Sequence, residues 1–517
     1  MSDHPNLWEL IVARAAATPD AVLAVDEREQ RLTAQDLHDR AEVTAAGLHR
    51  LGVDRDTPVS WMLPTRLDAA VLVGALARLG AVQNPILPML GPRETRFITT
   101  QTNARMLLVP GVWRGRAYAD EAHELREDRP DLQVVVVDDA HPLPAGDRAA
   151  LPPPPPSTTP AEAPVRWVFY TSGTTADPKG AQHTDHTVKA SADGMLQALE
   201  MGPDDRTAIV FPFTHIGGIA LLYTILVTGC TGVFVEAFVP PTTIPILQRE
   251  TITLAGAGTT FHLAYLAAQR AQPDVPLFPA VRAFPGGAAP KPPNLHYELK
   301  AELGGVGIVS GYGLTEAPIL TMNTVRGTDE QLAETEGPPT PGVELRVVRL
   351  DGTVAAPGEE GEIRAKGPQV FRGYLDGSLD ADAFDDEGWI RTGDLGVLRP
   401  DRHVRITGRV KDVIIRKGET ISAKEVEDLL FTHPRIADVA VIGVPDARLG
   451  ERSCAVVVAS ETTAPTLSEI FEFLTGEGLT VQKVPEQLEV VDALPRNASG
   501  KVLKQDLRAV YGTAEPS

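Results

Sequence analysis

The sequence predicts an α/β fold, with a large N-terminal part made of α/β subdomains and a small α+β part at the C-terminus. Apolar residues recur at helical spacing in Leu7–Ala17 and Thr33–Leu51, as on the buried face of a helix. Short apolar runs at Val59–Leu63 and Gln133–Val137 are typical of buried strands. Helical and strand patterns alternate in this way along the chain, and such alternation favours α/β architecture.

A proline-rich stretch precedes the most informative part of the chain. Leu151–Pro160 contains five consecutive prolines, which favour a stiff, extended connector. The apolar run Val165–Tyr170 follows this connector and is predicted to be a strand.

After residue 408 the pattern becomes compact and predicts a second domain. Three runs are expected to be strands, and two Ser/Thr-x-x-Glu capping boxes are expected to open helices. The strands are Val413–Ile415, Ile436–Val444 and Ser453–Ala459, and the boxes are Ser422–Glu425, opening a helix through His433, and Thr466–Glu469, opening a helix to Thr475. We therefore predict one domain at 1–410 and another at 411–517, the latter with two helices.

Composition and charge narrow the classes of function. The 517 residues include 48 Lys and Arg against 69 Asp and Glu, a formal charge of −21, so binding to nucleic acid or an anionic membrane surface is not expected. Two cysteines, Cys230 and Cys454, exclude a disulfide framework and a thiol-rich metal cluster and fit a reducing compartment. No basic segment precedes an apolar core at the N-terminus, and the apolar runs are too short to span a membrane. These features predict a cytoplasmic globular protein.

The loop after the strand at 165–170 has a composition that indicates phosphate binding. It runs Thr171-Ser172-Gly173-Thr174-Thr175-Ala176-Asp177-Pro178-Lys179-Gly180. Hydroxyls donate to phosphate oxygens, glycine lets backbone N–H groups approach an anion, and lysine adds positive charge. The spacing differs from that of a Walker loop. A polyphosphate is the expected ligand, and a polar surface turn is the alternative interpretation.

The loop resembles the Y-T-S-G-T-T-G-x-P-K-G motif of the adenylate-forming superfamily, which includes acyl-CoA synthetases, nonribosomal adenylation domains and luciferases. Ala176 stands where that motif has glycine; alanine has less φ freedom, yet ATP binding is still expected. Other family motifs follow in order, so that the resemblance covers roughly residues 8–510. They are Phe284–Pro290, Gly311–Glu316, Trp389–Asp394, Gly408–Asp412, Lys417–Ser422 with Glu425–Glu427, and Pro495–Lys501. Within the acyl-CoA synthetase branch, the region around His183–His186 resembles cyclohexanecarboxylate-type CoA ligases of actinobacteria, although Asp185 stands where relatives usually have histidine.

The resemblance implies a set of ATP-binding residues. Tyr312 would stack on the adenine, Thr315 would contact the α-phosphate, and Asp394 would accept hydrogen bonds from the ribose hydroxyls. Glu316, with the hydroxyl of Thr171 nearby, would hold Mg²⁺. The full expected set is Thr171, Ser172, Gly173, Thr174, Thr175, Lys179, Gly287, Ala288, Ala289, Tyr312, Gly313, Leu314, Thr315, Glu316, Asp394, Arg409 and Lys501.

The chemistry implied by the resemblance is the activation of a carboxylic acid. Attack of a carboxylate on the α-phosphorus of ATP makes an acyl-AMP and releases pyrophosphate, and cationic groups must neutralise the two anions that meet. Lys501 is expected to bridge the carboxylate and the α-phosphate, and it forms the catalytic set with Glu316 and Thr171. Positioning and charge stabilisation are expected to carry the step without a covalent nucleophile.

A second step, attack of the CoA thiol on the acyl-AMP, is also implied. In this family the small, mobile domain rotates about one residue, and Lys411 occupies that hinge position. Rotation would withdraw Lys501 and bring the segment from residue 417 to the pantetheine tunnel. Lys417, Gly418 and Glu419 are therefore expected on the CoA side, with Gly418 leaving room for the thiol arm.

The acyl pocket is expected between Phe211 and Ala317. Its predicted lining is Phe213, His215, Gly217, Gly258, Thr259 and Gly311. Amino-acid-activating relatives have an aspartate where Thr214 and His215 stand here, which argues against an amino acid. Glycines at 217, 218, 256 and 258 either leave a wide apolar pocket for a bulky alicyclic, steroid-like or terpenoid acid or serve turns alone. His215 either gates this pocket or fills a hydrogen-bonded core position.

The sequence therefore predicts an acyl-CoA synthetase that uses ATP, Mg²⁺ and CoA on a small-molecule carboxylic acid. One alternative is an enzyme that only adenylates and passes the acyl-AMP to a carrier protein or partner enzyme, although no insertion that would block rotation is evident. Another is a non-catalytic nucleotide-binding protein, against which Lys501, Glu316, Asp394 and Arg409 argue. A homodimer, common among relatives, is compatible with the sequence, and no nucleic-acid partner or membrane span is expected.

Overall fold

Helices and strands alternate along the chain in the computed structural model, which describes residues 5–171, 178–287, 291–349, 351–416, 419–446, 448–460, 463–496 and 501–512. In that part the helices are α1 Leu7–Ala17, α2 Ala34–Arg50, α3 Leu67–Leu79, α4 Pro92–Gln101, α5 Tyr118–Glu124, α6 Asp185–Leu199, α7 Ile216–Thr228, α8 Pro240–Arg249, α9 Thr259–Ala271, α10 Pro293–Glu302, α11 Asp329–Glu334, α12 Asp380–Ala383, α13 Ala423–Leu430, α14 Leu467–Gly476 and α15 Lys504–Tyr511. The strands up to residue 322 are β1 Val22–Asp26, β2 Arg31–Thr33, β3 Pro58–Trp61, β4 Val82–Pro85, β5 Met106–Val109, β6 Val112–Trp113, β7 Arg116–Ala117, β8 Gln133–Val136, β9 Trp167–Thr171, β10 Lys179–His183, β11 Arg206–Ile209, β12 Thr231–Phe234, β13 Phe284–Gly286, β14 Ile308–Leu314 and β15 Ala317–Met322. The later strands are β16 Glu344–Val348, β17 Glu360–Lys366, β18 Ile390–Leu398, β19 Val404–Arg409, β20 Val413–Arg416, β21 Glu419–Ser422, β22 Ile436–Asp446, β23 Gly450–Ala459 and β24 Gln487–Val490.

Two sheets form the centre of the large part. One has the strand order β10-β9-β4-β3-β5-β8, in which β10 is antiparallel to β9 and the other neighbours are parallel. The other has the order β11-β12-β1-β2. Bulky side chains from both sheets and from α7 fill the largest core, among them Trp61, Trp167, Phe234 and Tyr223, which have almost no exposed surface. The parallel strands direct their carboxyl ends, and the loops that follow them, to one edge.

Four further sheets lie in the described part of the chain, one of them the two-stranded pair β6-β7. β13, β14 and β15 form one sheet, and β16 to β19 form an antiparallel meander. The C-terminal part contains β21-β20-β23-β22, with β24 beside β23. Its two clusters of buried apolar residues begin at Ile414, whereas the clusters of the large part end at Val404. The small part thus has an apolar core of its own.

The prediction of two helices in the small part was wrong, because the described residues form three. The third, α15, is eight residues long and buries only Leu507 fully. A helix this short, with three charged residues and a narrow apolar face, gives a weak periodic signal. It is held by packing on β22 and by an ion pair between Lys504 and Glu427, 2.7 Å.

Most other element bounds agree with the sequence predictions within about three residues. α1 has the predicted bounds, and the capping box of Thr466 and Glu469 is present. The helix predicted from Ser422 to His433 ends at Leu430. Ser422 caps this helix as expected, but the Glu425 carboxylate accepts hydrogen bonds from Lys483, at 2.6 and 2.9 Å. In the described part, no helix combines the length and apolar character needed to cross a membrane.

The proline-rich connector is held against the large part by polar contacts. The Asn6 side chain donates to the carbonyl of Pro155, 3.4 Å, and Ser157 contacts Glu9 of α1. His186 of α6 contacts the carbonyl of Thr158, 3.1 Å. Leu151–Pro160 therefore lies as an extended strap across the starts of α1 and α6, in agreement with the predicted connector.

A single carboxylate, that of Asp185, joins three elements beneath this strap. It accepts hydrogen bonds from the Leu7 N–H, 3.1 Å, the Trp167 indole, 2.9 Å, and the Tyr223 hydroxyl, 2.8 Å. These donors belong to α1, β9 and α7. The departure from the family motif at residue 185 therefore serves packing of the large part.

Candidate active site

Adjacent strands bring Asp394 and Arg409 together at the end of the meander. The two residues are paired across β18 and β19, and the Arg409 Nε lies 2.6 Å from the Asp394 Oδ1. The Tyr312 hydroxyl donates to the other oxygen, Oδ2, at 2.8 Å. Burial, and then Asp394 itself, raises the pKa of Tyr312, so this hydroxyl keeps its proton and remains a donor. The Asp394 carboxylate, 4% exposed, is fixed from both sides.

Lys501 comes from the small part and lies in the same cluster of charges. Burial lowers its pKa from 10.5 to about 8, and the charges of Arg409 and Lys411 lower it further, while Asp394 and Asp412 oppose this shift. Two of these neighbours, Asp394 and Arg409, lie in the meander and are predicted to bind the nucleotide. The structure thus brings Lys501 within electrostatic range of Asp394 and Arg409, although 107 and 92 residues separate it from them in the chain.

Glu316 occupies the turn between β14 and β15, where its side chain is buried. The Tyr374 hydroxyl donates to Glu316 Oε1 at 2.6 Å, while Oε2 has no protein partner among the described residues. The ammonium of Lys179 lies 5.3 Å from the centre of the Tyr374 ring. Lys179 is in turn paired with Thr171 across β10 and β9. No sequence pattern indicated Tyr374, because its partners Glu316 and Lys179 lie far from it in the chain.

The residues around Glu316 are suited to Mg²⁺. This ion prefers oxygen ligands and is usually held by one or two carboxylates together with substrate phosphates and waters. Glu316 offers one carboxylate oxygen that is free of protein hydrogen bonds in the described part, and Thr171, half-buried at the end of β9, offers a hydroxyl. A buried carboxylate with an open oxygen is costly unless it is paired, so the donor set fits the metal that the sequence implies.

The turn that carries Glu316 is anchored by His183. The His183 Nε2 contacts the Thr315 carbonyl at 2.8 Å, and its Nδ1 contacts the Thr187 hydroxyl at 2.9 Å. Burial lowers the pKa of His183 to about 4, so the ring is neutral near pH 7. A Cβ on Gly313 would lie 2.4 Å from the Ile319 nitrogen, which requires glycine there. Leu314 pairs with Ala317 to close the turn.

Backbone segments from three parts of the chain meet at predicted nucleotide and acyl positions. A Cβ on Gly258 would lie 3.0 Å from the Gly287 carbonyl, and a Cβ on Gly287 would lie 3.0 Å from the Gly311 carbonyl. Gly258 immediately precedes α9 and Thr259 begins it. The structure therefore brings together four residues that the sequence assigned to neighbouring subsites.

Phe213 and His215, both predicted to line the acyl pocket, have different environments. Phe213 is fully buried and packs on Trp61 and Phe234, with ring centroids 6.4 and 5.2 Å apart. His215 caps α7, because the Gly217 N–H donates to its Nδ1 at 3.1 Å. Burial lowers the pKa of His215 to about 4. With Nδ1 acting as acceptor, the neutral ring carries its proton on Nε2.

The predicted hinge residue, Lys411, lies in a short turn between the two parts of the chain. Lys411 belongs to the 3₁₀ turn Val410–Asp412, which joins β19 to β20. Asp412 accepts a hydrogen bond from Arg508 of α15 at 2.9 Å. Several expected ATP and CoA residues lie outside the described residues, namely Ser172, Gly173, Thr174, Thr175, Ala288, Ala289, Lys417 and Gly418; Glu419 begins β21, but its side chain also lies outside them.

Comparison of the sequence with known protein families identifies the family of this chain. Residues 11–375 match the family described as AMP-binding enzyme, and residues 425–501 match its C-terminal domain. Because the first match covers more than half of the chain, the chain belongs to the AMP-binding enzyme family. It is an enzyme of the acid–thiol ligase class in the adenylate-forming superfamily.

Individual relatives cover nearly the whole chain. A methyl-dioxo-octahydroindenyl-propanoyl:CoA ligase of Rhodococcus jostii is 32% identical over 98% of this chain and 99% of its own. A salicyl-AMP ligase / salicyl-S-ArCP synthetase of Mycobacterium tuberculosis is 32% identical over 96% of this chain and 89% of its own. The solved structure of O-succinylbenzoate coenzyme A synthetase from Bacillus subtilis with ATP and magnesium ion has a TM-score of 0.84 at 27% identity, covering 98% of this chain and 99% of that one. These proteins differ in the acids that they are named for.

Proposed function

We propose that this enzyme activates a bulky alicyclic or polycyclic carboxylic acid with ATP and Mg²⁺ and then transfers the acyl group to CoA. The activity of an adenylate-forming acyl-CoA ligase follows from family membership. The observation that carries the assignment to these residues is the convergence of Lys501 on the Asp394–Arg409 pair. A buried cation next to a fixed carboxylate is what an ATP-dependent activation of an anion requires.

The adenylation step would proceed by displacement at the α-phosphorus. An oxygen of the substrate carboxylate forms a bond to that phosphorus, and the bond from the α-phosphorus to the bridging oxygen of pyrophosphate breaks. Lys501 would lie between the two anions, since its charge is partly desolvated and is held near Asp394. Asp394 would bind the ribose hydroxyls, and Lys179 would contact the outer phosphates. Bound Mg²⁺ would withdraw charge from the phosphates, held by Glu316 Oε2 and the Thr171 hydroxyl.

The preference for a bulky acid is supported by glycines that the fold does not require. A Cβ on Gly217 would meet only side-chain atoms, the nearest 3.2 Å away, and a Cβ on Gly256 would have no atom closer than 3.7 Å. Neither glycine has a positive φ. By contrast, a Cβ on Gly218 would lie 2.5 Å from the Phe213 carbonyl oxygen. A Cβ on Gly258 would lie 3.0 Å from the Gly287 carbonyl oxygen. Packing therefore explains two of the four glycines and leaves two available to widen the pocket.

The transfer step would use the turn at Lys411. This turn connects a part of the chain with its own core to the meander that carries Arg409, so a change of backbone angles there moves Lys501 as a unit with the small part. Lys417, Gly418 and Glu419 follow that turn closely in the chain and would face the thiol of CoA after such a rotation.

The test is an incubation with ATP, Mg²⁺ and CoA and a panel of acids, with acyl-AMP and acyl-CoA measured by mass spectrometry. The panel includes linear, cyclohexane, aryl and polycyclic terpenoid acids. We expect acyl-CoA from the alicyclic or polycyclic acids, and its loss in Lys501→Ala. Preference for linear acids would overturn the substrate class alone. If no acid in the panel yields acyl-AMP or acyl-CoA, the proposed activation of such acids is wrong.

An adenylation-only enzyme is the second candidate, since a relative is named as an AMP ligase that also loads a carrier protein. In that case acyl-AMP would accumulate in the same incubation without thioester. Addition of a phosphopantetheinylated carrier protein in place of CoA distinguishes the two acceptors.

A further inference from the structure

Tyr374 lies between two residues that the proposed chemistry uses, and it has no part in the function described above. Its hydroxyl donates to Glu316 Oε1 at 2.6 Å, and its ring faces the ammonium of Lys179, 5.3 Å from the ring centre. The residue is 8% exposed. One side chain thus contacts the carboxylate suited to Mg²⁺ and the lysine of the phosphate loop.

Backbone pairing fixes the position of Tyr374. The segment 371–375 lies along β10, where the Arg372 N–H donates to the Gln182 carbonyl, 2.8 Å, and the Gln182 N–H donates to the Gly373 carbonyl, 3.0 Å. The Leu375 N–H donates to the Gly180 carbonyl, 2.8 Å. This segment therefore acts as a further strand at the edge of the sheet that carries Lys179.

Glu316 is attached to the same segment. The Phe371 N–H donates to the Glu316 carbonyl at 2.8 Å, and the Tyr374 N–H donates to Asp380 at 2.8 Å. Gly373 has a φ of +103°, and a Cβ there would lie 2.5 Å from the Asp380 carboxylate. The backbone around Tyr374 is consequently held on both sides, and the ring has little freedom to leave its place.

The hydroxyl of Tyr374 does more than a core aromatic residue requires. A phenylalanine would fill the same volume next to Phe371, whose ring centroid is 4.9 Å away. The hydroxyl instead engages one oxygen of a carboxylate whose other oxygen has no protein partner in the described part. Partners of this kind orient a metal ligand, and their loss typically weakens metal binding by about 10- to 100-fold.

We propose that Tyr374 is a positioning residue for the Mg²⁺–ATP complex. Its hydroxyl holds Glu316 Oε1, so that Oε2 faces the metal bound to the phosphates, and its ring holds the ammonium of Lys179 by a cation–π contact. This proposal rests on the proposed function, because it takes Glu316 as the metal carboxylate and Lys179 as a phosphate contact.

The test is the Mg²⁺ dependence of binding of a non-cleavable ATP analogue, measured by calorimetry without an acid substrate. In Tyr374→Phe we expect the Mg²⁺ concentration for half-maximal analogue binding to rise about tenfold or more. AMP lacks the β- and γ-phosphates, so we expect its affinity to stay at the wild-type value. The matched control is Tyr118→Phe, which removes another buried hydroxyl, hydrogen-bonded to the Pro88 carbonyl at 2.8 Å, and should leave the Mg²⁺ dependence at the wild-type value.

A second variant separates positioning from loss of fold. In Glu316→Gln the metal carboxylate is already absent, so adding Tyr374→Phe should cause no further change in Mg²⁺ dependence. An unchanged Mg²⁺ dependence in Tyr374→Phe, or equal changes in it and in Tyr118→Phe, would overturn the proposal for Tyr374 alone. Wild-type protein that binds the analogue without any Mg²⁺ dependence would overturn the proposed ATP site as well.

Discussion

The lowered pKa of Lys501 predicts how the rate of adenylation depends on pH. With a pKa of about 8, this lysine is about nine-tenths protonated at pH 7 and about one-tenth at pH 9. In the proposed adenylation step the protonated form of Lys501 stabilises the two anions, so kcat/KM for pyrophosphate release should fall about tenfold between those pH values. The pH profile of kcat/KM reports the free enzyme, which is the state of the structure. Lys501→Arg, whose guanidinium stays charged, should lose this descending limb, and a flat wild-type profile would refute the assignment.

Asp185 makes a prediction about stability. An amide has one acceptor atom where the carboxylate has two, so in Asp185→Asn an N–H must face one of the three donors around residue 185. We expect a loss of about 1–3 kcal/mol in the free energy of unfolding, measured by urea denaturation followed by tryptophan fluorescence. Asp193→Asn, which removes only a surface pair with Lys189 on the same helix, should cost about 0.5 kcal/mol or less. Equal losses in the two variants would show that the contacts of Asp185 are not special.

At the scale of the element, two adjacent glycines in the first turn of α7 are expected to have different roles, one in packing and one in selectivity for the acid. Gly218→Ala places a Cβ 2.5 Å from a backbone carbonyl, so we expect a clear drop in melting temperature. In Gly217→Ala the new Cβ meets only the side chains of His215 and Phe211, the nearest atom 3.2 Å away, so we expect the fold to be retained, while kcat/KM for a bulky acid falls more than that for a linear acid. Thermal melts and competition between two acids check the pair. Unaltered acid preference in Gly217→Ala would remove this residue from the pocket.

Local patterns predict elements well where the determinants are local. α1 follows from its apolar spacing and its cap, and Thr466 and Glu469 form the expected box because both partners lie within one turn. Glu425 departs from its predicted role because Lys483, 58 residues away, competes for the carboxylate. Such competition is invisible in a window of the sequence, as is the short helix α15, whose stability comes from packing on β22.

In the candidate site, too, contacts between residues distant in the sequence could not be predicted from local patterns. Family motifs marked Asp394, Arg409 and Lys501, and the structure brings them together. Tyr374 could not be predicted from periodicity or spacing, since its role depends on pairing between residues 371–375 and β10 almost 200 residues earlier. The turn that holds Glu316 is closed by a local pair, but the contacts that anchor it come from His183 and Phe371, far away in the chain.

At the scale of the whole molecule, the separate cores predict two unfolding transitions. Calorimetry should resolve one for the large part and one for the small part, because their apolar clusters do not merge. An ATP analogue with Mg²⁺ at 100 times its Kd should stabilise the binding-competent state by about 2.7 kcal/mol. We expect both transitions to rise in the wild type, and only that of the large part to rise in Lys501→Ala. Chelation of Mg²⁺ with EDTA should reduce the shift of both, and a single unchanged transition would contradict this division.

The pairing of Thr171 with Lys179 has a consequence for the segment between them, to which the proposed function assigns phosphate binding. Paired residues on antiparallel strands have Cα atoms about 5 Å apart, so the ends of the segment 172–178 are brought together by the sheet when the chain folds. The entropy lost in bringing these ends together therefore lowers the free energy of unfolding, and it does not weaken the binding of ATP. Because that loss grows only with the logarithm of loop length, doubling the loop would cost about 0.6 kcal/mol in stability. The protein should therefore tolerate insertions here as a folded chain while losing its hold on the nucleotide.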